Sequence, residues 1–180
     1  MERMAAFELL RPESLAHAIE LMATVPGARV LAGGTDLVPN LRHGLEAPAT
    51  LVDLSGVPGF AGLDLTPAGA RIGAGVTLAT LAADRLVQAA LPAVAQAAAS
   101  IAGPGHRSVA TVGGNLCLDT RCVWYNQSEW WRRSNGYCLK RGGDVCHVAP
   151  QGGRCHAAFC GDLAPALIAC GAQAELAGPE

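Results

Sequence analysis

One segment differs from the rest of the chain in composition, and it constrains the fold most. Residues 121–155 contain four of the seven cysteines, all three tryptophans, both tyrosines and the single lysine. Six basic and two acidic residues give this segment a net formal charge of +4, whereas the whole chain carries −2. It shows no helical or strand periodicity, and its aromatic content argues against disorder. We therefore expect something other than a hydrophobic core of its own to order it.

The positions of the cysteines add a second constraint. All seven lie beyond residue 116, at positions 117, 122, 138, 146, 155, 160 and 170. Residues 1–4 do not start a secretion signal, and an odd number of cysteines fits poorly with a disulfide framework. We expect reduced thiols in a cytoplasmic protein, and clustered reduced thiols raise the question of a metal.

The first 116 residues have the pattern of a regular α/β sequence. Apolar residues make up 51% of the chain and charged residues 16%, so it can bury a core. The net charge argues against a general nucleic-acid binder, and no apolar run approaches the roughly 20 residues that cross a bilayer. The pattern predicts a partly parallel sheet, with Ser14 as the first helix N-cap. The predicted strands are 7–10, 29–32, 50–54 and 69–74, and the predicted helices are 15–23, 36–43, 77–87 and 91–102.

Two glycine loops are the candidate ligand sites of this part. Gly33-Gly34-Thr35-Asp36 follows a predicted strand and precedes a helix, and Thr111-Val112-Gly113-Gly114-Asn115 repeats the pair of glycines. Backbone N–H groups of such loops can converge on a phosphate, and two loops could hold a diphosphate. Either pair taken alone is more consistent with a tight turn, and neither loop matches the dinucleotide or Walker A fingerprint.

Three motifs in the same order resemble a known family. They are Ala32-Gly33-Gly34-Thr35-Asp36-Leu37-Val38-Pro39, then residues 107–117 and residues 161–167. The chain is similar to the FAD-binding medium subunits of the molybdenum hydroxylases, the group of xanthine dehydrogenase and carbon monoxide dehydrogenase. The resemblance implies an α+β, two-lobed FAD-binding domain of the vanillyl-alcohol oxidase (PCMH) type with a Cys-rich irregular insertion. The first lobe would comprise residues 1–56, the second 57–180, and the insertion 118–160.

The resemblance also implies which residues bind FAD, and no catalytic residue is assigned. The first glycine loop would wrap the pyrophosphate, the second would hold its other side, and Asp162 would bond near the ribityl chain or flavin ring. Asp36 is equally consistent with a helix N-cap. The implied FAD-binding residues are Arg29, Val30, Leu31, Ala32, Gly33, Gly34, Thr35, Asp36, Ile101, Thr111, Val112, Gly113, Gly114, Asn115 and Asp162.

Within that family, the long link between Asn115 and Asp162 resembles the β subunits of 4-hydroxybenzoyl-CoA reductases, which carry an extra [4Fe–4S] cluster. The resemblance implies Cys122, Cys138, Cys146 and Cys155 as its ligands. The residues alone leave a cluster, zinc and unliganded thiols open, although no close Cys pair of the usual zinc type is present.

Four residues outside this ligand set complete the expectations for the segment. Cys160 and Cys170 are expected to be buried structural thiols. His147 and His156 are expected to be solvated.

The function implied is that of an electron-transfer subunit, active only in a complex. Reduced ferredoxin would donate electrons through the cluster and FAD to a small subunit with two [2Fe–2S] clusters. A large molybdenum-cofactor subunit would then dehydroxylate 4-hydroxybenzoyl-CoA to benzoyl-CoA in anaerobic aromatic degradation. The subunits would assemble as a dimer of heterotrimers. Two alternatives stay open: a medium subunit of an ordinary molybdenum hydroxylase that reduces NAD or quinone, and a zinc-stabilised interaction module.

Two expectations concern the aromatic residues and the end of the chain. The aromatic group could stack nucleic-acid bases, but shielding a cluster or facing a partner subunit is favoured, so neither nucleic acid nor membrane is an expected partner. The family continues into a C-terminal domain, so this chain is expected to be a fragment that binds FAD weakly by itself. The aromatic group is Trp124, Tyr125, Trp130, Trp131 and Tyr137.

Overall fold

A computed structural model describes residues 4–178. Its strands are β1 (Glu8–Leu10), β2 (Arg29–Leu31), β3 (Thr50–Asp53), β4 (Leu63–Thr66) and β5 (Gly69–Ile72). Its helices are α1 (Leu15–Thr24), α2 (Leu37–Arg42), α3 (Leu78–Ala83), α4 (Arg85–Ala90), α5 (Pro92–Ser100), α6 (Pro104–Arg107), α7 (Val112–Leu116), α8 (Glu129–Ser134) and α9 (Leu163–Ala169). A 3₁₀ turn covers Leu139–Arg141.

These elements form two compact units. The sheet-and-helix unit comprises Phe7–Thr35, Pro48–Cys117 and the chain from Gly161 onward. The Cys-rich unit comprises Asp36–Ala47 and Leu118–Cys160, with the residues up to Ala6. The range Leu118–Cys160 is the one expected for the insertion. That this range is an insertion stays a prediction, and so do the two lobes.

A small parallel sheet forms one part of the sheet-and-helix unit. Its strand order is β1-β3-β2, with both outer strands parallel to β3, so the predicted parallel pairing is confirmed. The Ser14 side chain accepts a hydrogen bond from the His17 N–H and caps α1, as predicted. A cluster of small and aliphatic side chains packs between this helix and the sheet: Ala18, Ala28, Val52, Leu54 and Val57.

A larger cluster of apolar side chains holds the helices of the same unit. The strands β4 and β5 form an antiparallel hairpin ahead of it. The helix predicted at 77–87 is two helices, because Asp84 adopts an extended conformation and its carboxylate caps the next helix through the N–H groups of Leu86 and Val87. The buried members of the cluster are Val76, Leu78, Leu81, Val87, Val94, Ala95, Ala98, Val112 and Leu163.

The Cys-rich unit contains little regular structure. Its helices are α2 and α8, and Ser128 caps α8 by accepting a hydrogen bond from the Trp131 N–H. The expectation of no helix in 121–155 was therefore wrong for the six residues of α8. A helix of this length is too short to show a periodicity in the sequence. No helix within the described range is long and apolar enough to cross a membrane.

Candidate functional site

The first glycine loop, which follows β2, offers free hydrogen-bond donors. A side chain on Gly33 would collide with the carbonyl oxygen of Val109, and Gly34 has a φ of +71°, so both positions require glycine. Among residues 4–178, nothing accepts a hydrogen bond from the backbone N–H groups of Gly33, Gly34 or Thr35. Three successive free N–H groups on a half-buried loop suit an anion such as a pyrophosphate.

The second glycine loop is different because its donors are already bonded. Thr111 caps α7, and its Oγ1 accepts a hydrogen bond from the Gly114 N–H at 3.1 Å. The Val112 N–H bonds the Val76 carbonyl at 2.9 Å, and the Gly113 N–H bonds the Ala74 carbonyl at 2.8 Å. A side chain on Gly113 would overlap Ala74. The glycines of this loop allow close packing within the protein, and the N–H groups of Val112, Gly113 and Gly114 are already bonded. That this loop holds one side of the pyrophosphate stays a prediction.

A side chain of the second loop reaches the turn that carries Asp162. The Asn115 Oδ1 is buried and accepts a hydrogen bond from the Leu163 N–H at 3.1 Å, across 48 positions of sequence. Asp162 itself is exposed, and its carboxylate bonds no other described residue. The fold therefore joins two of the predicted motifs and leaves Asp162 available to a ligand.

The remaining predicted FAD residues lie in different places. Arg29, Val30 and Leu31 form the edge strand β2, and Ile101 follows α5 as a half-buried residue. Asp36 belongs to the Cys-rich unit, where its carboxylate pairs with Arg121 and accepts a hydrogen bond from Asn40 Nδ2 at 3.3 Å. Its side chain makes no N-cap hydrogen bond, so the alternative role for Asp36 is not observed.

The four predicted cluster ligands line one cavity in the Cys-rich unit. Cys122, Cys138, Cys146 and Cys155 line the same small cavity, which is partly open to solvent. The other cysteines, 117, 160 and 170, are exposed and do not line it. The expectation that Cys160 and Cys170 are buried was wrong, since Cys160 lies at the edge of an open loop and Cys170 follows the end of α9.

Tight turns bring these cysteines together. The Cys138 carbonyl accepts hydrogen bonds from the N–H groups of Arg141 and Gly143, and the Leu139 N–H bonds the Val145 carbonyl. Gly142 has a φ of +83°, and a side chain on Gly143 would overlap the backbone of Tyr137 and Cys138. The glycine pair thus closes the loop between Cys138 and Cys146. Both thiols are buried, with exposed fractions of 8% and 5%.

The backbone around Cys146 favours its thiolate form. A hydrogen bond from the Ala149 N–H makes the largest contribution and lowers the pKa of this thiol, together with smaller ones from the backbone of His156 and Val148 and against the opposing effect of burial. The thiolate is the form of cysteine that binds metals.

Aromatic and basic side chains complete the cavity wall. The Trp124 ring lies 5.4 Å from that of Trp131 and 4.7 Å from that of His147, measured between centroids. His147 is half-buried and its Nε2 is 2.6 Å from the Tyr137 carbonyl, so the expectation that it is solvated was wrong, whereas His156 is exposed. The Lys140 ammonium lies 4.4 Å from the centre of the Tyr125 ring.

The cysteines are not arranged around a single metal ion. A zinc site needs its donor atoms about 2.0–2.3 Å from one point. Within the described range, no group of three or more Cys, His, Asp or Glu side chains is placed to hold a metal ion. The positions of these side chains support neither a zinc ion nor a cluster, and the [4Fe–4S] cluster stays a prediction.

Two arginines that the sequence analysis did not identify as site residues donate hydrogen bonds to backbone carbonyls, one in each unit. Arg132 is fully buried and donates to the carbonyls of Gln127 and Gly44 and to Glu129. Arg107 Nη1 donates to the carbonyls of Ile101 at 2.9 Å and Ala102 at 2.6 Å. No local sequence signal predicts the hydrogen-bond partners of Arg132 or of Arg107. Gly44 could have been identified, because a glycine often follows the last turn of a helix.

Comparisons with known proteins agree on the family. A family model described as the FAD binding domain in molybdopterin dehydrogenase matches residues 5–180. The xanthine dehydrogenase FAD-binding subunit of Escherichia coli O157:H7 is 44% identical over 108 residues, which is 59% of this chain and 37% of the relative. The carbon monoxide dehydrogenase medium chain of Hydrogenophaga pseudoflava is 33% identical over 111 residues, which is 61% of this chain and 39% of the relative. The chain thus spans less than half the length of these relatives.

Solved structures show the same similarity. Quinoline 2-oxidoreductase from Pseudomonas putida 86 matches with a TM-score of 0.61 and 32% identity, over 63% of this chain and 40% of that one. A carbon monoxide dehydrogenase from Hydrogenophaga pseudoflava matches with a TM-score of 0.62 over the same shares. Because the family model covers all but four residues, the chain belongs to the family of FAD-binding domains of molybdopterin dehydrogenases.

Proposed function

We propose that the chain is the FAD- and [4Fe–4S]-carrying part of a medium subunit in a molybdenum enzyme that reductively dehydroxylates 4-hydroxybenzoyl-CoA, with reduced ferredoxin as donor. The observation that carries the proposal is the cavity lined by Cys122, Cys138, Cys146 and Cys155. A cluster would add a one-electron carrier to the flavin, which is what a ferredoxin-dependent subunit requires. We also propose a cytoplasmic location, which reduced thiols favour.

For FAD, we propose that the free N–H groups of Gly33, Gly34 and Thr35 hold the pyrophosphate. Asp162 would accept a hydrogen bond from the ribityl chain or the flavin. Asn115 would keep the Asp162 turn in place through its bond to the Leu163 N–H, at 3.1 Å. Bound FAD supplies exchange between two-electron and one-electron chemistry, while these residues bind and orient it.

For the cluster, the four cysteines would each ligate one iron. Trp124 and His147 would exclude water from one side of the cavity, because both line it and their ring centroids lie 4.7 Å apart. Lys140 also lines the cavity, but its ammonium already pairs with the Asp119 carboxylate at 2.7 Å, so the charge of an anionic group would be met by the wider basic excess of 121–155. The partners of the whole protein would be a large molybdenum-cofactor subunit and a small iron–sulfur subunit, in a dimer of heterotrimers.

Metal analysis of the anaerobically purified chain tests the proposal. We expect four iron and four acid-labile sulfide per chain, with an EPR signal after dithionite reduction. Cys138→Ser should abolish both, because it removes a buried ligand. Cys160→Ser is the matched control, since that thiol belongs to the same unit, is exposed and does not line the cavity. One zinc per chain, or equal iron in both variants, would contradict the proposed site.

An ordinary molybdenum hydroxylase is the second candidate function. It is favoured by the similarity to a xanthine dehydrogenase FAD-binding subunit at 44% identity. In that case NAD or quinone would accept electrons from the flavin. Mixing the FAD-loaded chain with reduced ferredoxin distinguishes the two functions. Flavin absorbance should bleach faster in the wild type than in Cys138→Ser if the reductase function holds, and equally slowly in both if it does not.

A zinc-stabilised interaction module receives no support from the geometry of the described residues. No group of three metal-binding side chains in that range converges on a single ion. The family match favours a flavin-binding domain over such a module.

A further inference from the structure

One residue in the turn after α5 adopts a conformation that its chemistry disfavours. Ala102 has a φ of +48°, in the left-handed region where a Cβ crowds the backbone. Its neighbour Gly103, which could adopt such a φ without cost, has an ordinary φ of −91°. The left-handed φ therefore falls on an alanine although a glycine is next to it. A contact with another residue must hold Ala102 in this conformation.

Arg107 supplies that contact. Its Nη1 donates to two successive carbonyls, those of Ile101 at 2.9 Å and Ala102 at 2.6 Å. Carbonyl groups just beyond a helix end lack partners within the helix, and both of these follow α5 directly. Hydrogen bonds from a charged donor are stronger than neutral ones, and a guanidinium keeps its charge at any ordinary pH.

The stretch that Arg107 organises lies against both glycine loops. The Val109 carbonyl occupies the space that a side chain on Gly33 would need. The Ala110 carbonyl accepts a hydrogen bond from the Leu78 N–H at 2.8 Å, which fixes the approach to Thr111. A change in the turn at 101–102 would therefore be transmitted along a short, packed segment to the loop with the free N–H groups.

We infer that Arg107 is a positioning residue for the flavin: it holds Ala102 in the left-handed conformation and thereby fixes Ile101 and the segment behind the first glycine loop. This inference rests on the proposed FAD site. Arg107 need not touch the cofactor, because it acts through the backbone of 101–110.

The test is titration of FAD into the full chain, followed by quenching of flavin fluorescence and by visible circular dichroism of the bound flavin. Arg107→Gln should weaken FAD binding by about tenfold or more, the effect of losing hydrogen bonds from a charged group. Arg107→Lys should lie between this variant and the wild type. Arg71→Gln is the matched control, because that guanidinium is exposed and pairs with Glu175 at 2.6 Å.

The decisive variant is Arg107→Gln combined with Ala102→Gly. Glycine adopts a φ of +48° without the cost of a Cβ, so the double variant should recover most of the lost affinity and the wild-type flavin spectrum. A purely stabilising role for Arg107 predicts no such rescue. Wild-type affinity and an unchanged flavin spectrum in Arg107→Gln, or a double variant no better than the single one, would overturn the inference.

Two outcomes separate this inference from the proposed site. If the wild-type chain shows no FAD binding even at the high flavin concentrations that a weak site requires, both are overturned; if it binds FAD and Arg107→Gln binds equally well, only the inference is. Should Arg107→Gln not fold, Ala102→Gly alone decides. Its thermal unfolding midpoint should equal or exceed that of the wild type if Ala102 is strained, and a lower midpoint would contradict the strain.

Discussion

The Cys-rich unit and the sheet-and-helix unit are stabilised by different kinds of interaction. Both clusters of buried apolar side chains found among residues 4–178 lie in the sheet-and-helix unit. In the Cys-rich unit, the largest fully buried side chain of the described residues is the charged Arg132. One unit thus gains stability from removing apolar surface from water, whereas the other relies on hydrogen bonds around a buried cation.

The difference suggests that the Cys-rich unit needs a bound group and the other unit does not. The chain provides two probes that separate them. All three tryptophans lie in 121–155, so their fluorescence reports on the Cys-rich unit. Seven of the nine described helices belong to the sheet-and-helix unit, so far-ultraviolet circular dichroism reports mainly on that unit.

The largest expected effect is that of metal removal. Structural metals can contribute on the order of 10 kcal/mol to the folding of a small unit. Removing the proposed cluster with a chelator should therefore abolish amide protection across 118–160 in hydrogen-exchange measurements. Residues 78–81 of the larger apolar cluster serve as the internal control and should keep their protection. Equal exchange of 118–160 before and after chelation would show that the Cys-rich unit is ordered without metal.

The second prediction concerns the apolar cluster. Leu81 is fully buried, so Leu81→Ala should lower the free energy of unfolding of the sheet-and-helix unit by about 3 kcal/mol. In urea, the circular dichroism transition should move to lower denaturant concentration. Leu176→Ala is the control, because that side chain is 91% exposed and should cost less than about 0.5 kcal/mol. Similar midpoints for the two variants would mean that this cluster does not carry the stability of the unit.

The third prediction concerns the buried cation. Arg132→Met removes hydrogen bonds to the carbonyls of Gln127 and Gly44 and to Glu129. Because Glu129 keeps some contact with water, we expect a loss of about 2 kcal/mol, seen in the tryptophan transition and not in circular dichroism. Arg133→Met removes an exposed pair with the same glutamate and should cost less than about 0.5 kcal/mol. A shift of both transitions in Arg132→Met would contradict the independence of the two units.

The smallest expected effect is a pH dependence confined to the Cys-rich unit. A hydrogen bond from Tyr137 and the Arg132 guanidinium together hold the pKa of Glu129 below its ordinary 4.5, against the effect of burial. A carboxyl with a lowered folded-state pKa adds stability that is complete above the unfolded pKa and is lost as pH falls through the folded one.

The tryptophan transition in urea should therefore weaken below about pH 4.5. Tyr137→Phe removes the hydrogen bond to Glu129 and should flatten this dependence, while the circular dichroism transition of the same variant serves as the control. The same pH profile in wild type and variant would show that the bond does not set the pKa.

Local signals in the sequence account for much of the sheet-and-helix unit. Ser14, the apolar periodicity of 15–23 and the spacing of the first three strands act over a few residues, so they predicted α1 and the parallel sheet. The same kind of signal failed at Asp84, where a capping side chain divides one predicted helix into two. It also failed at α8, where six residues are too few to display a helical period.

The sequence by itself determined the family motifs and the two glycine loops, because motifs and their order are properties of the chain. Which four cysteines to place together came from the resemblance to a known family. Only the tertiary structure decided that the first loop keeps its donors free while the second bonds its own, since two of those partners, the carbonyls of Ala74 and Val76, lie far from the loop in sequence. It likewise decided that Asn115 holds the Asp162 turn and that Arg107 holds Ala102. Such hydrogen bonds depend on where distant backbone groups meet after the apolar clusters have packed, and no local pattern records that position.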